Sequence, residues 1–144
     1  MGLILKFAED EVDLPEFEDC WETFRTLSAN GIFKAAEYEI RNLHAGMSMM
    51  LSHKLLQEGT ANFEEYRQKL FLEMKKSELL FTKYNSGTVS ANNSAVMSDL
   101  EYKAVQDTYL QAKHNQLIME SEIKALNTAV ISLSRELSAR FKDR

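Results

Sequence analysis

Proline, cysteine and glycine are scarce in this chain, at one, one and five among 144 residues. With so few breakers, long helices go uninterrupted, and the recurrence of Ala, Leu, Glu, Lys, Gln and Met favours helix over sheet. A single thiol, Cys20, forms no internal disulfide, which points to a reducing compartment. No run approaches the roughly 18 apolar residues that a membrane span needs. The opening Met1-Gly2-Leu3-Ile4-Leu5-Lys6-Phe7-Ala8 is too short for a signal core, lacks preceding positive charge and is followed by acids. Lys6 also stands where a myristoylation motif wants Ser or Thr. The expected location is cytoplasmic, with no membrane partner.

Chemistry-bearing constellations are missing too. His44 and His53 are nine positions apart, on opposite sides of one helix, and neither they nor His114 have Cys or carboxylate companions at zinc-ligand spacing. Cys20 sits among aromatics and acids. A nucleophilic thiol wants basic neighbours, so a buried inert thiol is the reading. Gly31, Gly46, Gly59 and Gly87 are isolated and build no phosphate loop. Glu37, Glu39, Glu64, Glu65, Glu120 and Glu122 read as solvated helix acids. No catalytic residue, metal ligand or cofactor is expected, and the protein is read as no enzyme.

What is present is helical periodicity and unevenly placed charge. The 44% apolar content is enough for a real core. The formal charge of −5 belongs to one segment. Residues 1–30 hold eight acids against Lys6 and Arg25, while the remaining residues are close to neutral. The acidic stretch 9–22 suits a basic protein partner.

An all-α fold of four helices follows, as a single domain over residues 1–144 with residues 1–12 as an N-terminal arm. Asp13, Pro15 and Glu16 form a helix start, and Phe17, Cys20, Trp21, Phe24 and Leu27 continue at helical spacing, so the first helix is set at 13–27. Ser28-Ala29-Asn30-Gly31 ends it. Phe33, Ala36, Ile40, Leu43, Met47 and Met50 form a coiled-coil-like seam, placing a second helix at 32–57. Met47, Met49 and Met50 are core filling or a soft partner groove. Glu58-Gly59-Thr60-Ala61-Asn62 is read as a break, and a third helix spans 62–85 with Asn62 as cap. Residues 86–94, rich in Ser, Asn and Gly, are read as a turn.

The strongest signal comes last. Tyr102, Val105, Tyr109, Ala112, Gln116, Met119, Ile123, Leu126, Val130, Leu133 and Leu137 alternate in steps of three and four. The fourth helix, set at 95–142 and expected to be the longest, would reach roughly 70 Å. The third helix is too short to cover such a seam. Either the second and third helices pack along it end to end, or part of it meets another subunit. On the latter, Tyr109, Gln116, Met119, Ile123, Leu126, Val130, Leu133 and Leu137 are assigned to an interface between copies, and a homo-oligomer built on an antiparallel helical hairpin or bundle is expected. Gln116 either marks where the core opens to water or fixes register.

A second candidate surface is basic. Arg67, Lys69, Lys75, Lys76 and Lys83 lie among Tyr66, Phe71, Phe81 and Tyr84. Lysines that follow phosphates and rings that stack on bases are the equipment of a single-strand nucleic-acid binder; a solvated helix face is the plainer alternative. Arg67, Lys69, Lys75, Lys76, Lys83 and Tyr84 are the candidate contacts.

The stretch Met74-Lys75-Lys76-Ser77-Glu78-Leu79-Leu80-Phe81-Thr82-Lys83-Tyr84-Asn85-Ser86-Gly87, and later Glu120-Ser121-Glu122-Ile123-Lys124-Ala125-Leu126-Asn127, resemble phage recombination mediators of the UvsY type. The resemblance covers residues 62–140. It departs where Asn85 separates the aromatic from the Ser-Gly turn, in a shorter loop, in lacking a lysine-rich closing motif, and in the acidic N-terminal segment. It implies a non-enzymatic homo-oligomer that binds single-stranded DNA and helps load a recombinase, with Lys75, Lys76 and Lys83 carrying over. The competing expectation is a helical protein–protein interaction protein: a secretion chaperone, a phage or host adaptor, or a structural assembly subunit.

Overall fold

The computed structural model describes residues 4–7, 10–13 and 17–143, with side chains described from Glu18 onward. The architecture is all-α, and its two long helices pack together as a hairpin. Element order is β1 (Ile4–Phe7), β2 (Asp10–Asp13), α1 (Phe17–Asn30), a 3-10 turn (Ile32–Lys34), α2 (Glu37–Thr82), α3 (Val89–Ser98) and α4 (Leu100–Lys142). The arm expected at residues 1–12 contains a two-stranded antiparallel ribbon in which Ile4 pairs with Asp13 and Phe7 with Asp10. Asp13 thus ends a strand and does not start α1; positions 14–16, including the Pro15-Glu16 part of the expected start, lie outside the described residues.

The chain divides into two compact units, one of Met1–Leu56 with Ser121–Arg144 and one of Gln57–Glu120. In the first, α1 lays Cys20 against Ile40, Leu43, Met47 and Met50 of α2 and Leu126, Ala129 and Leu133 of α4. Trp21, Phe24 and Leu27 pack against the same cluster, which is why the 3–4 spacing of α1 makes it a helix here. Met47 and Met50 are core filling, at 0% and 3% exposed. α1 stops where Gly31 takes φ 89, a left-handed conformation that a side chain would strain. The second helix does not begin at 32. A 3-10 turn intervenes, and α2 starts where the Ala36 N–H donates to Glu39 Oε2 at 2.9 Å, one half of a capping box.

That turn is held from the far end of the chain. The Arg140 guanidinium donates from Nη2 to the carbonyls of Ile32 (3.1 Å), Phe33 (3.3 Å) and Ala35 (2.7 Å), and from Nε to Glu136 (2.9 Å). His44 and Ser134 are hydrogen-bonded at 2.8 Å, and Lys54 pairs with Glu122.

The second unit is built on Leu79, Val96 and Tyr102, with Leu72, Leu80 and Tyr84 packed on them. Here the expected helix limits need three corrections. The break at 58–62 is absent: α2 runs 46 residues through it and exceeds the 43 of α4, so the last helix is not the longest. A Cβ at Gly59 would meet nothing within 4 Å, so this glycine costs only its backbone entropy, about 1 kcal/mol, and tertiary packing outweighs that. Next, residues 86–94 are not all turn. Thr88 caps α3 by accepting the Ala91 N–H at 3.2 Å, and the Asn92 amide bonds both N–H and C=O of Gly87. The Ser and Asn that read as loop are the capping equipment of a short helix. Finally, the long C-terminal helix begins at Leu100, because Asp99 caps it.

Candidate functional site: the outer face of α2

The heptad seam of α4 is used within the chain. Leu126 and Leu133 are 0% exposed, Val130 and Leu137 pack on the same cluster, and Tyr109, Gln116, Met119 and Ile123 are half-buried. The seam therefore packs within the chain, and Leu126 and Leu133, with no exposed surface, are not open to a second copy, which corrects the interface assignment at these two positions. Its premise was a third helix too short to cover α4, and that premise fails because α2 is continuous. Tyr109 gives its hydroxyl to Glu65 at 3.3 Å. Met119 lines a groove of about 370 Å³ with Gln57, Ala61, Glu64, Ala112 and Asn115. Gln116 is half-buried, consistent with a seam that opens toward water.

The basic candidates are dispersed and largely neutralised. Lys75 contacts Glu101 at 2.7 Å and Glu78 at 3.4 Å, and its pKa is raised, first by the Glu101 carboxylate. Arg67 pairs with Glu64 at 3.0 Å and lies over the Phe71 ring. The Glu64 carboxyl is lowered in pKa, first by the Gln68 amide and then by Arg67. Lys83 and Tyr84 both turn to Asp99, at 3.1 and 2.6 Å. Of the six nominated contacts, Lys69 and Lys76 alone enter no ion pair or hydrogen bond among the described residues.

The Asp99 cluster is a site that the pattern of apolar residues did not reveal. Asp99 is 5% exposed. Its Oδ1 accepts the N–H groups of Glu101 (2.9 Å) and Tyr102 (3.3 Å), while Oδ2 accepts from Tyr84 and Lys83. The Tyr84 hydroxyl, the Lys83 ammonium and the two N–H groups hold the carboxyl far below the usual carboxylate range, against burial. The same contact raises the pKa of Lys83 and of Tyr84. All of this carboxylate's acceptor capacity goes to closing the connection from α2 to α4. The signal in the sequence was Asp99 just before the first seam residue, Tyr102, a helix-start pattern hidden inside a longer periodic run.

What remains exposed is an apolar stripe on α2. Gln68 and Leu79 mark the buried side of this stretch, at 8% and 4% exposed. Leu70 lies two positions from both Gln68 and Leu72, about 200° round the helix from each. Phe63, Tyr66, Met74 and Phe81 share that outer side at three-, four- and seven-residue spacing. Their exposures are 65% for Phe63, 58% for Tyr66, 40% for Leu70, 65% for Met74 and 82% for Phe81. Over residues 63–81 the charges cancel, with Glu64, Glu65, Glu73 and Glu78 against Arg67, Lys69, Lys75 and Lys76. Nothing on this face resembles a reaction centre. Among the described residues no group of His, Cys, Asp and Glu is placed to hold a metal ion, and Cys20 is buried with its pKa raised by desolvation and then by Asp19. No helix of the described residues is long and apolar enough to cross a membrane.

Comparison with known proteins returns no match: no family model, no curated protein and no solved structure corresponds to this chain. The functional reading therefore rests on the surface itself.

Proposed function

We propose that the protein is a non-enzymatic helical interaction protein that presents the outer face of α2 to a partner. One observation carries this: Phe63, Tyr66, Leu70, Met74 and Phe81 form a continuous apolar stripe on the side of α2 opposite its core, and the charge around it sums to zero. Monomeric proteins seldom leave such a stripe uncovered, and interfaces are rich in Tyr, Phe and Met with charges at the rim. A neutral surround favours a protein partner over a polyanion.

The test is a triple variant, Phe63→Ser, Leu70→Ser and Phe81→Ser, compared with the unmutated chain for mass in solution and for binding of a fluorescent dye that seeks apolar surface. The unmutated chain is expected either to associate or to bind dye, and the variant to do neither while keeping its helical circular dichroism. An unmutated monomer that ignores the dye would end this reading.

A second reading, the single-stranded-DNA mediator implied by the UvsY-type resemblance, is favoured by one feature. Among the described residues Lys69 and Lys76 enter no ion pair, and Lys69 lies one helical turn from the exposed ring of Tyr66. Stacking on such a ring contributes about 1–3 kcal/mol per base. This reading expects retention of a labelled oligothymidylate that weakens steeply with salt and disappears in the Lys69→Ala, Lys76→Ala, Lys83→Ala variant. No retention at low salt would remove it. The acidic surface of α1, where Glu18, Asp19 and Glu22 are exposed, is a further proposed contact for a basic protein.

A further inference from the structure

We infer that the occupant of the α2 stripe is a second copy of this chain, laid antiparallel across a two-fold axis near position 72. The inference rests on the interaction reading above and names its partner. The stripe is self-complementary in a way that a general docking face need not be. Phe63 and Phe81 lie nine positions either side of position 72, and Leu70 and Met74 two positions either side. In an antiparallel pair about that point, Phe63 faces Phe81 of the other copy at both ends, and Leu70 faces Met74 in the middle. A two-fold interface requires this reciprocity, in which residue i meets j and j meets i.

The charges at the rim follow the same symmetry. Arg67 and Glu78 are eleven positions apart, three turns of helix, and so lie on one flank. They stand five positions before and six after the centre, so each Arg67 reaches Glu78 of the other copy. Lys69 and Glu73 share the opposite flank. They are three positions before and one after the centre, an offset of about 3 Å at 1.5 Å per residue, within the reach of a lysine side chain. At present Arg67 and Glu78 sit in i,i+3 pairs within α2: Arg67 with Glu64, both exposed, and an exposed Glu78 at 3.4 Å from a Lys75 that bonds Glu101 more closely, at 2.7 Å. Exposed pairs of that kind contribute little and exchange readily. Two copies of a face with no net charge meet without like-charge repulsion.

Area points the same way. At about 200 Å² for each large side chain, the exposed fractions of 65, 58, 40, 65 and 82% leave roughly 600 Å² of apolar surface on the stripe. The stems of Arg67, Lys69, Glu73 and Glu78 bring this close to the ~800 Å² per partner of a standard interface. Its length, residues 63–81, is about 27 Å of helix.

The experiment uses the full chain and two charge reversals, Arg67→Glu and Glu78→Arg, both on exposed positions outside the core. Sedimentation or light scattering of the unmutated chain at tens of micromolar should give twice the 16.6 kDa of one chain. Each reversal alone places like charges opposite each other and should weaken association at least about tenfold. Mixing the two variants restores opposite charges at both ends of the pair, so the mixture should recover the doubled mass that neither shows alone. Unchanged circular dichroism keeps misfolding from imitating the result. A 16.6 kDa species at every concentration would overturn the second-copy inference, and if that monomer binds the apolar dye the interaction reading survives with another partner. A dimer indifferent to both reversals would place self-association elsewhere and overturn the inference equally. A monomer that gains mass only on adding an oligothymidylate would hand the face to nucleic acid.

Discussion

The Tyr84 hydroxyl donates a 2.6 Å hydrogen bond to Oδ2 of Asp99, the residue whose other oxygen caps α4. One buried carboxylate thus ties the end of α2 to the start of α4, with α3 looped between them. Both residues that bond Oδ2, Tyr84 and Lys83, carry features that suit a nucleic-acid contact when read along the chain.

Acid should loosen this latch. The folded Asp99 carboxyl titrates far below its unfolded value of about 3.9. Its stabilisation is therefore fully present above the unfolded pKa and declines as pH falls from about 4 toward the folded pKa. Asp99→Asn is expected to lower the melting temperature at pH 7, with the gap to the unmutated chain narrowing as the pH is taken below about 4. Thermal melts followed by circular dichroism between pH 2.5 and 7 check this; a gap that stays constant would mean that the charge is not what matters.

Arg140 is expected to be irreplaceable by lysine. Its planar fork bonds Glu136 through Nε and the carbonyls of Ile32, Phe33 and Ala35 through Nη2, and a single ammonium nitrogen does not stand at both places. Arg140→Ala should lose about 2–3 kcal/mol, since several part-buried acceptors lose their donor. Arg140→Lys should recover less than half. Urea unfolding curves for the three proteins settle the order.

Continuity of α2 has its own test at Gly59. In the middle of an unbroken helix with open space around its Cα, Gly59→Ala is expected to stabilise by about 0.5–1 kcal/mol. A glycine serving a turn at 58–62 would make the same change neutral or harmful, and a denaturation midpoint distinguishes the two.

Leu126 and Leu70 should separate folding from association. Leu126 has no exposed surface, so Leu126→Ala should cost about 3 kcal/mol of stability. Leu70 is 40% exposed, and Leu70→Ala should stay within about 0.5 kcal/mol in stability while reducing the mass of any assembly. If Leu70→Ala unfolds the chain as readily as Leu126→Ala, the stripe belongs to the core.

Much of the fold was legible because helix formation and burial leave a period in the sequence. Residues 102–137 run in steps of three and four because that side of α4 meets other helices, and each seam position is buried or half-buried. The stop signal ending in Gly31 was legible too, since a positive φ of 89 is one that glycine fills without strain, although α1 runs on to Asn30, past the expected limit of 27. The stripe on α2 was in plain view as spacing, yet a period identifies a face without saying whether the chain covers it. Tyr66, Leu70, Met74 and Phe81 look along the sequence like core residues, and they are the ones left outside.

Local chemistry therefore determined the helical class, the acidic N-terminal segment and the residues able to cap or pair. Three matters were decided by contacts between residues distant in the chain. Gly59 and Asn62 carry a break signal worth about 1 kcal/mol, less than packing along α2 supplies, so the helix passes through. Lys83 and Tyr84 have no preference for solvent or protein until Asp99, 16 and 15 positions away, is brought within 3.1 and 2.6 Å. Of the two apolar faces, that of α4 is buried inside the chain and that of α2 is left open, because a helix shows one side at a time to its own core. Which side a neighbour covers is a property of the assembled fold and is not encoded in the spacing of either helix.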